Sequence, residues 1–273
     1  NCLTFTMPDM TQMEAWRDEE EHIVVPRELY QPEMLRSFGF PVYDVRPRSY
    51  EPVRFIDRFH PRDDVQREAW RCLERTKGGV LNLACGRGKS GLALKLGARL
   101  GGPILIVVSN TGTVEGWLEE VGKFLGVPRE DVGIIQRDRF EWTKPVAIAV
   151  LHTLAGRRDR GPVEFLNRWR LVILDEVHHL SSALFSKVRA LFPGTRLGLT
   201  ATLAREDGLE SLYMFHVGPV VYANLEQELP AKIVFQQTPF RLDDFDAARD
   251  RAGGFNIGLY RNAVAALPGR NAL

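Results

Sequence analysis

Residues 80–90, VLNLACGRGKS, pass from a short apolar strand into a glycine loop, and a helix follows from Lys89 to about Leu100. Strand, loop and helix in that order open an alternating α/β pattern. The alternation extends in both directions. Upstream, Asp63 and Asp64 suit a helix N-terminus, Val65, Ala69, Trp70 and Leu73 recur at helical spacing, and Gly78 and Gly79 end the helix. Downstream, the pattern predicts strands over 104–108, 132–135, 146–151, 171–174 and 196–199, with helices over 113–125 and 163–168. The strands are short and apolar on both faces, as in a parallel sheet flanked by helices on each side. Such sheets bind ligands at the carboxyl ends of their strands, so the polar residues there carry the interest.

Residues 1–59 differ in character. Pro8, Pro26, Pro32, Pro41, Pro47 and Pro52 prevent a long helix, and short pieces such as 22–25 and 41–45 look strand-like. Glu19, Glu20 and Glu21 read as a solvated face. After about Gly218 the pattern loosens again, with a strand expected over 231–238 and a helix over 256–267. Three parts are therefore expected: a small N-terminal module (1–59), a large α/β domain (60–225) and the start of a further domain (226–273).

Hydrophobic residues make up 44% of the 273, which fits a packed core rather than disorder. The 36 basic and 35 acidic side chains leave a net charge of +1, so a nucleic-acid partner must be argued from local features. Cys2, Cys72 and Cys85 are odd in number and far apart, which suggests neither a disulfide framework nor a zinc site and points to a reducing, cytoplasmic setting, nuclear in a eukaryote. No apolar run has transmembrane length, and residues 1–10 lack the basic and apolar regions of a signal peptide. The chain does not begin with Met and reads as a fragment or a processed product.

Three strand ends carry chemistry. In the first, Gly86, Arg87 and Gly88 allow backbone N–H groups to turn toward phosphate oxygens at a helix N-terminus. Lys89 would reach the β- and γ-phosphates and Ser90 would hold Mg²⁺. Leu83 stands where the full pattern has its first glycine, and an ordinary glycine turn is the competing explanation. In the second, Asp175 and Glu176 follow an apolar strand. Asp175 is placed to hold Mg²⁺ and Glu176 to orient or deprotonate an attacking water, with a surface acid pair as the alternative. His178 suits a polar relay from the γ-phosphate, while His179 reads equally as a structural histidine. In the third, Thr200-Ala201-Thr202 offers two hydroxyls that join neighbouring loops by hydrogen bonds.

Together, LACGRGKS (83–90), DEVH (175–178) and LTAT (199–202) resemble motifs I, II and III of superfamily 2 helicases. The stretch RLGLTATLARED (196–207) is similar to the XPB-type members, whose Arg-Glu-Asp element matches Arg205, Glu206 and Asp207, and FHVGPVVY (215–222) resembles the family's exit from its first motor domain. The resemblance implies a RecA-like P-loop NTPase domain, Mg²⁺-dependent ATP hydrolysis and movement on DNA, single-stranded, forked or branched, with no membrane partner. It places Gln66 as the adenine-reading glutamine, although Asp63-Asp64-Val65 replaces the usual Arg-Pro-Tyr before it. It places Ser109, Asn110 and Thr111 in motif Ia, and Thr153, Arg157 and Arg205 among the nucleic-acid contacts; a solvated basic loop is the competing explanation for Arg157, Arg158 and Arg160. The family's Gln-x-x-Gly-Arg-x-x-Arg element, which supplies arginine fingers from a second motor domain, has no match in these 273 residues. An RNA helicase of the same superfamily and a nucleotide-binding subunit with an assembly role are the alternatives; a small-molecule kinase would leave Thr200-Ala201-Thr202 without a role.

Overall fold

The computed structural model describes residues 49–156, 161–179, 193–202, 214 and 216–226, together with the backbone of four short strands near the N-terminus. These lie in the first of the two compact units into which the chain divides, residues 1–228. The N-terminal strands form two antiparallel hairpins, β1 (Thr4–Thr6) with β2 (Gln12–Glu14) and β3 (Arg17–Glu19) with β4 (His22–Val24). The expected strands over 41–45 and 231–238 and the helix over 256–267 lie outside the described residues.

From residue 64 the chain alternates. Helix α1 (Asp64–Thr76) precedes β5 (Gly79–Leu83), α2 (Lys89–Leu100), β6 (Ile104–Val108) and α3 (Val114–Leu125). Then come β7 (Val132–Gln136), β8 (Arg139–Phe140), β9 (Val146–Val150), α4 (Leu151–Gly156), α5 (Val163–Arg168), β10 (Leu171–Leu174), β11 (Thr195–Thr200) and β12 (Val220–Asn224). The strands from β5 onward make one sheet in the order β12-β5-β11-β10-β6-β9-β7-β8, parallel except at the β7–β8 pair.

Alternation along each strand divides the core. Ile104, Ile106 and Val108 join Leu171, Ile173 and the apolar sides of α1, α2 and α3 on one face, while Leu105, Val107, Val172 and Leu174 join Phe165, Trp169 and Val217 on the other. A sheet with apolar neighbours on both faces explains why its strands read as unbroken hydrophobic runs. α1 begins at Asp63, whose Oδ1 accepts the N–H of Gln66 at 2.8 Å. Its left-handed C-terminal residue is Lys77 (φ 61°), one position before the expected glycine stop. Gly79 serves a different need: a Cβ there would meet Val221 Cγ1 at 2.6 Å and the Pro219 carbonyl at 2.7 Å, so its lack of a side chain lets β12 close on β5.

The segment before α1 lies against this domain. Ile56 and Arg58 donate their N–H groups to the Leu125 and Phe124 carbonyls at the end of α3. The Phe59 ring is buried and meets Phe124 edge to face, with centroids 5.0 Å apart.

Candidate active site

The sheet order sets the site. β5, β11, β10 and β6 are consecutive neighbours, so the glycine loop, Thr200, the Asp175-Glu176 pair and Ser109 all emerge along one edge, at the carboxyl ends of the strands. In the glycine loop, Gly86 and Gly88 have φ of 78° and 76°, a region that side-chain-bearing residues enter at a cost. Gly88 is the N-cap of α2 and no side chain caps it, which leaves the helix N-terminus available to an anion. Lys89 folds over the strand tip, its Nζ donating to the Leu83 carbonyl at 2.9 Å and the Ala84 carbonyl at 3.4 Å. Two residues of the expected nucleotide set have side chains engaged within the protein. The Arg87 guanidinium turns away from the loop mouth, its Nε donating to the Glu226 carbonyl at 2.9 Å with Asp63 beside it. Gln66 is buried, its Nε2 donating to the Arg87 carbonyl at 3.1 Å and its Oε1 accepting from the Arg62 N–H at 2.9 Å, so its amide braces the loop.

Asp175 continues the sheet by one residue, its N–H donating to the Val107 carbonyl at 2.9 Å. Burial pushes its carboxyl above the ordinary range, and the Glu176 charge acts in the same direction. The Trp117 indole, the Glu176 N–H and the Lys89 ammonium pull it back only in part. The influence of Lys89 means that the loop cation and the strand-end acid share one electrostatic neighbourhood. Glu176 takes a left-handed backbone (φ 47°), and its buried Oε2 has no hydrogen bond. That oxygen lies 3.4 Å from His178 Nδ1, which is 2.7 Å from Thr200 Oγ1. Thr200 Oγ1 also contacts the Thr202 carbonyl at 2.6 Å and accepts the Thr202 N–H at 3.0 Å. A hydroxyl has one proton, so the set is satisfied when Thr200 donates to Thr202 and His178 Nδ1–H donates to Thr200. Glu176, His178 and the threonine segment thus lie in one continuous run of contacts.

Helix α3 supplies the opposite wall. Trp117 Nε1 donates to Asp175 Oδ2 at 2.8 Å, and Ser90 Oγ donates to Glu120 Oε2 at 3.1 Å. Beside the loop opens a cleft of about 600 Å³, lined among others by Arg58, Phe59, Arg62, Lys89, Ser90 and Lys123. Asp175 and Glu176 stand outside that lining. The cleft lining is rich in basic and aromatic side chains, with Glu120 among them.

Residues 29–205, more than half of the chain, match the ResIII family, described as Type III restriction enzyme, res subunit. The chain belongs to that family. The ResIII chain is 36% identical over 172 residues to the DNA 3'-5' translocase XPB2 of Sulfurisphaera tokodaii, covering 63% of this chain and 37% of that protein. It is 30% identical over 214 residues to the DNA 3'-5' helicase XPB of Mycobacterium tuberculosis, covering 75% of this chain and 39% of that protein. The chain thus spans less than half the length of these relatives, and they bear out the XPB-type resemblance of its motifs. Among solved structures, the UvsW helicase of bacteriophage T4 superposes with a TM-score of 0.51 at 17% identity, over 78% of this chain and 82% of that one, a likeness of fold alone.

The expected nucleic-acid contacts of this ResIII domain divide into three groups. Ser109, Asn110 and Thr111 follow β6 at the functional edge, but Asn110 Oδ1 accepts the Gly112 N–H at 2.9 Å and caps a short 3-10 turn. Thr153 Oγ1 accepts the Arg137 N–H at 3.1 Å, tying α4 to the β7–β8 turn. Arg157, Arg158, Arg160, Arg205, Glu206 and Asp207 lie outside the described residues. Sequence reasoning missed Trp117 and Glu120. Their spacing of three residues puts them on one face of α3, but a tryptophan on an amphipathic helix reads first as core, and Trp117 is indeed buried.

Proposed function

We propose that this domain is the ATP-binding motor lobe of a DNA helicase or translocase. The observation that carries it is the contact chain from Glu176 through His178 to Thr200 and Thr202, which joins the hydrolytic end of the site to a loop on the strand beside the glycine loop. A surface acid pair has no use for such a connection; a motor that couples hydrolysis to a track does. The names of the XPB relatives support DNA as the track and 3'-5' as the direction of movement.

In this reading, Gly86, Gly88 and the α2 N-terminus receive the phosphates, with Lys89 neutralising the terminal ones once it leaves the Leu83 carbonyl. Arg87 and Gln66 hold the loop in shape, and Gln66 reads the adenine only by exchanging one of its present partners. Ser90 and Asp175 suit a magnesium ion: both present oxygen, and each Asp175 oxygen keeps an unused lone pair beside the donor it already has. The ion would spread charge developing on the phosphate oxygens. Glu176 takes the proton of the attacking water, with its Oε2 held beside His178. His178, Thr200 and Thr202 transmit the change. Ser109, Asn110, Thr111, Thr153, Arg157 and Arg205 are assigned as partners of the nucleic-acid backbone, for which hydroxyls and guanidinium groups are suitable.

Residues 60–225 form this lobe, residues 1–59 an accessory module whose last stretch packs on it, and residues 226–273 open a second RecA-like lobe. The second lobe is needed for an arginine finger, worth roughly 10³ to 10⁵ in rate, so the 273-residue chain hydrolyses ATP slowly. Among the described residues no helix is long and apolar enough to cross a membrane, and the reducing cytoplasm is the proposed compartment.

The test uses Lys89→Ala and Glu176→Gln in the protein carrying both lobes. Lys89→Ala is expected to lose productive ATP binding, whereas Glu176→Gln retains binding and stalls hydrolysis. Normal turnover by Glu176→Gln refutes the assignment of the base, and stimulation by RNA but not DNA refutes the assignment of the track.

A further inference from the structure

The residues assigned to the metal are not held by the motifs that contain them. Ser90 opens α2 and Asp175 follows β10, yet the side chains that grip them come from one face of α3. Trp117 donates its indole N–H to Asp175 Oδ2 at 2.8 Å, and one turn on, Glu120 accepts the Ser90 hydroxyl proton at 3.1 Å. Trp117 is buried and Glu120 half-buried, so neither contact is an incidental surface pairing.

The two contacts have complementary consequences. A metal ligand needs a lone pair aimed at the ion and its remaining sites satisfied elsewhere. At Asp175 the indole occupies one site on Oδ2 while the Glu176 N–H, at 3.0 Å, occupies one on Oδ1. The carboxylate plane is thereby fixed by a donor on each side, with lone pairs left on both oxygens. At Ser90 the hydroxyl proton is directed to Glu120, so the oxygen lone pairs face away from the carboxylate, in the orientation coordination requires. Residues three apart on a helix project to one side, about 5–6 Å between their Cβ atoms. One rigid face of α3 can thus set the separation of two ligands from different parts of the chain.

We propose that Trp117 and Glu120 are a positioning pair, through which helix α3 pre-orients Asp175 and Ser90 for a divalent cation bound with the nucleotide. The inference rests on the nucleotide-site reading above and adds residues to it. Neither side chain touches the reacting atoms.

The experiment measures the affinity of a fluorescently labelled adenine nucleotide for the 273-residue chain, with Mg²⁺ and with a chelator in its place. The ratio of the two affinities isolates the cation's contribution from general damage to the fold. Trp117→Phe keeps an aromatic ring but removes the N–H; Glu120→Leu removes the acceptor, and Glu120→Gln keeps one. Loss of a partner of this kind typically lowers metal affinity about 10- to 100-fold. Trp117→Phe and Glu120→Leu are expected to reduce the Mg²⁺-dependent gain by that factor with chelator-condition binding little changed, and Glu120→Gln to restore most of it. If Trp117→Phe fails to fold, replacement of the Trp117 indole N–H by sulfur keeps the ring shape and asks the same question. An unchanged affinity ratio in folded Trp117→Phe and Glu120→Leu overturns the inference. Failure of the unsubstituted chain to bind nucleotide under either condition overturns the site reading itself, a distinguishable result.

Discussion

Thr200→Val removes one hydroxyl and leaves the side-chain shape almost unchanged, so its effect isolates the polar link at the end of β11. Thr200 is fully buried, and its Oγ1 meets His178 Nδ1, the Thr202 carbonyl and the Thr202 N–H. Thr202 is exposed, so water replaces those two bonds when the hydroxyl is lost. The His178 side chain is only 15% exposed and keeps less access to solvent. Withdrawing the hydrogen bonds of a buried hydroxyl costs about 1–3 kcal/mol, and the added valine methyl returns about 0.8 kcal/mol of apolar burial. The net loss centres on about 1 kcal/mol. In urea, with a slope of about 1–3 kcal/mol per molar, the unfolding midpoint should fall by roughly a third of a molar to one molar at unchanged slope. A cycle with His178→Ala should show a coupling of about 0.5 kcal/mol or more between the two positions. In the protein carrying both lobes, nucleotide affinity should persist while stimulation of hydrolysis by DNA falls. A midpoint equal to that of the unsubstituted chain, or zero coupling with His178, refutes the link.

Two further predictions concern carboxylates. The Asp63 carboxyl is held below its ordinary value, chiefly by the Gln66 N–H, so its stabilising effect is present above the unfolded-state pKa and is lost as pH falls through the folded one. Asp63→Ala should cost about 1 kcal/mol at neutral pH as a lost helix cap, and the difference should shrink in acid; an equal difference in urea unfolding at both pH values contradicts the cap. Asp175 has the opposite sign. Its raised pKa costs stability only when the group is ionised, so the penalty appears as pH rises through about 4, the unfolded carboxylate value, and is full above the folded one. Without nucleotide or metal, Asp175→Asn should therefore melt higher than the unsubstituted chain near neutrality and converge with it in acid. A melting difference independent of pH would show that the charge is not the cause.

Most strands and helices between residues 64 and 200 were legible because each buries a contiguous apolar run or stripe, although the strand expected over 146–151 ends at Val150 and gives way to α4. The strands over 104–108 and 171–174 and the helix over 163–168 lie where periodicity placed them. β12 was not legible as a sheet member: its residues are only partly buried, and its place beside β5 depends on the absent Cβ of Gly79, a long-range fact. The antiparallel β8 was missed because two residues carry no period. At the site, the residue types of the glycine loop and the acid pair announce their chemistry, but hydrogen bonding decides their orientation. The sequence offered only the Arg87 backbone N–H to a phosphate, and the acceptors at Glu226 and Asp63 that engage its guanidinium are too distant in sequence to foresee. Trp117 and Glu120 were invisible because their partners lie 58 and 30 residues away.

Open parallel sheets carry a row of unpaired amide and carbonyl groups along each margin, a template on which a strand from another molecule can add. Here the margin beyond β7 ends in β8, two residues long, where the Arg139 guanidinium is clamped by Glu141. An incoming strand would find almost nothing to pair with and a charge to strip of water. The small ribbon that hardly contributes to the core thus works against self-association, stopping the sheet from growing past the edge of its own molecule.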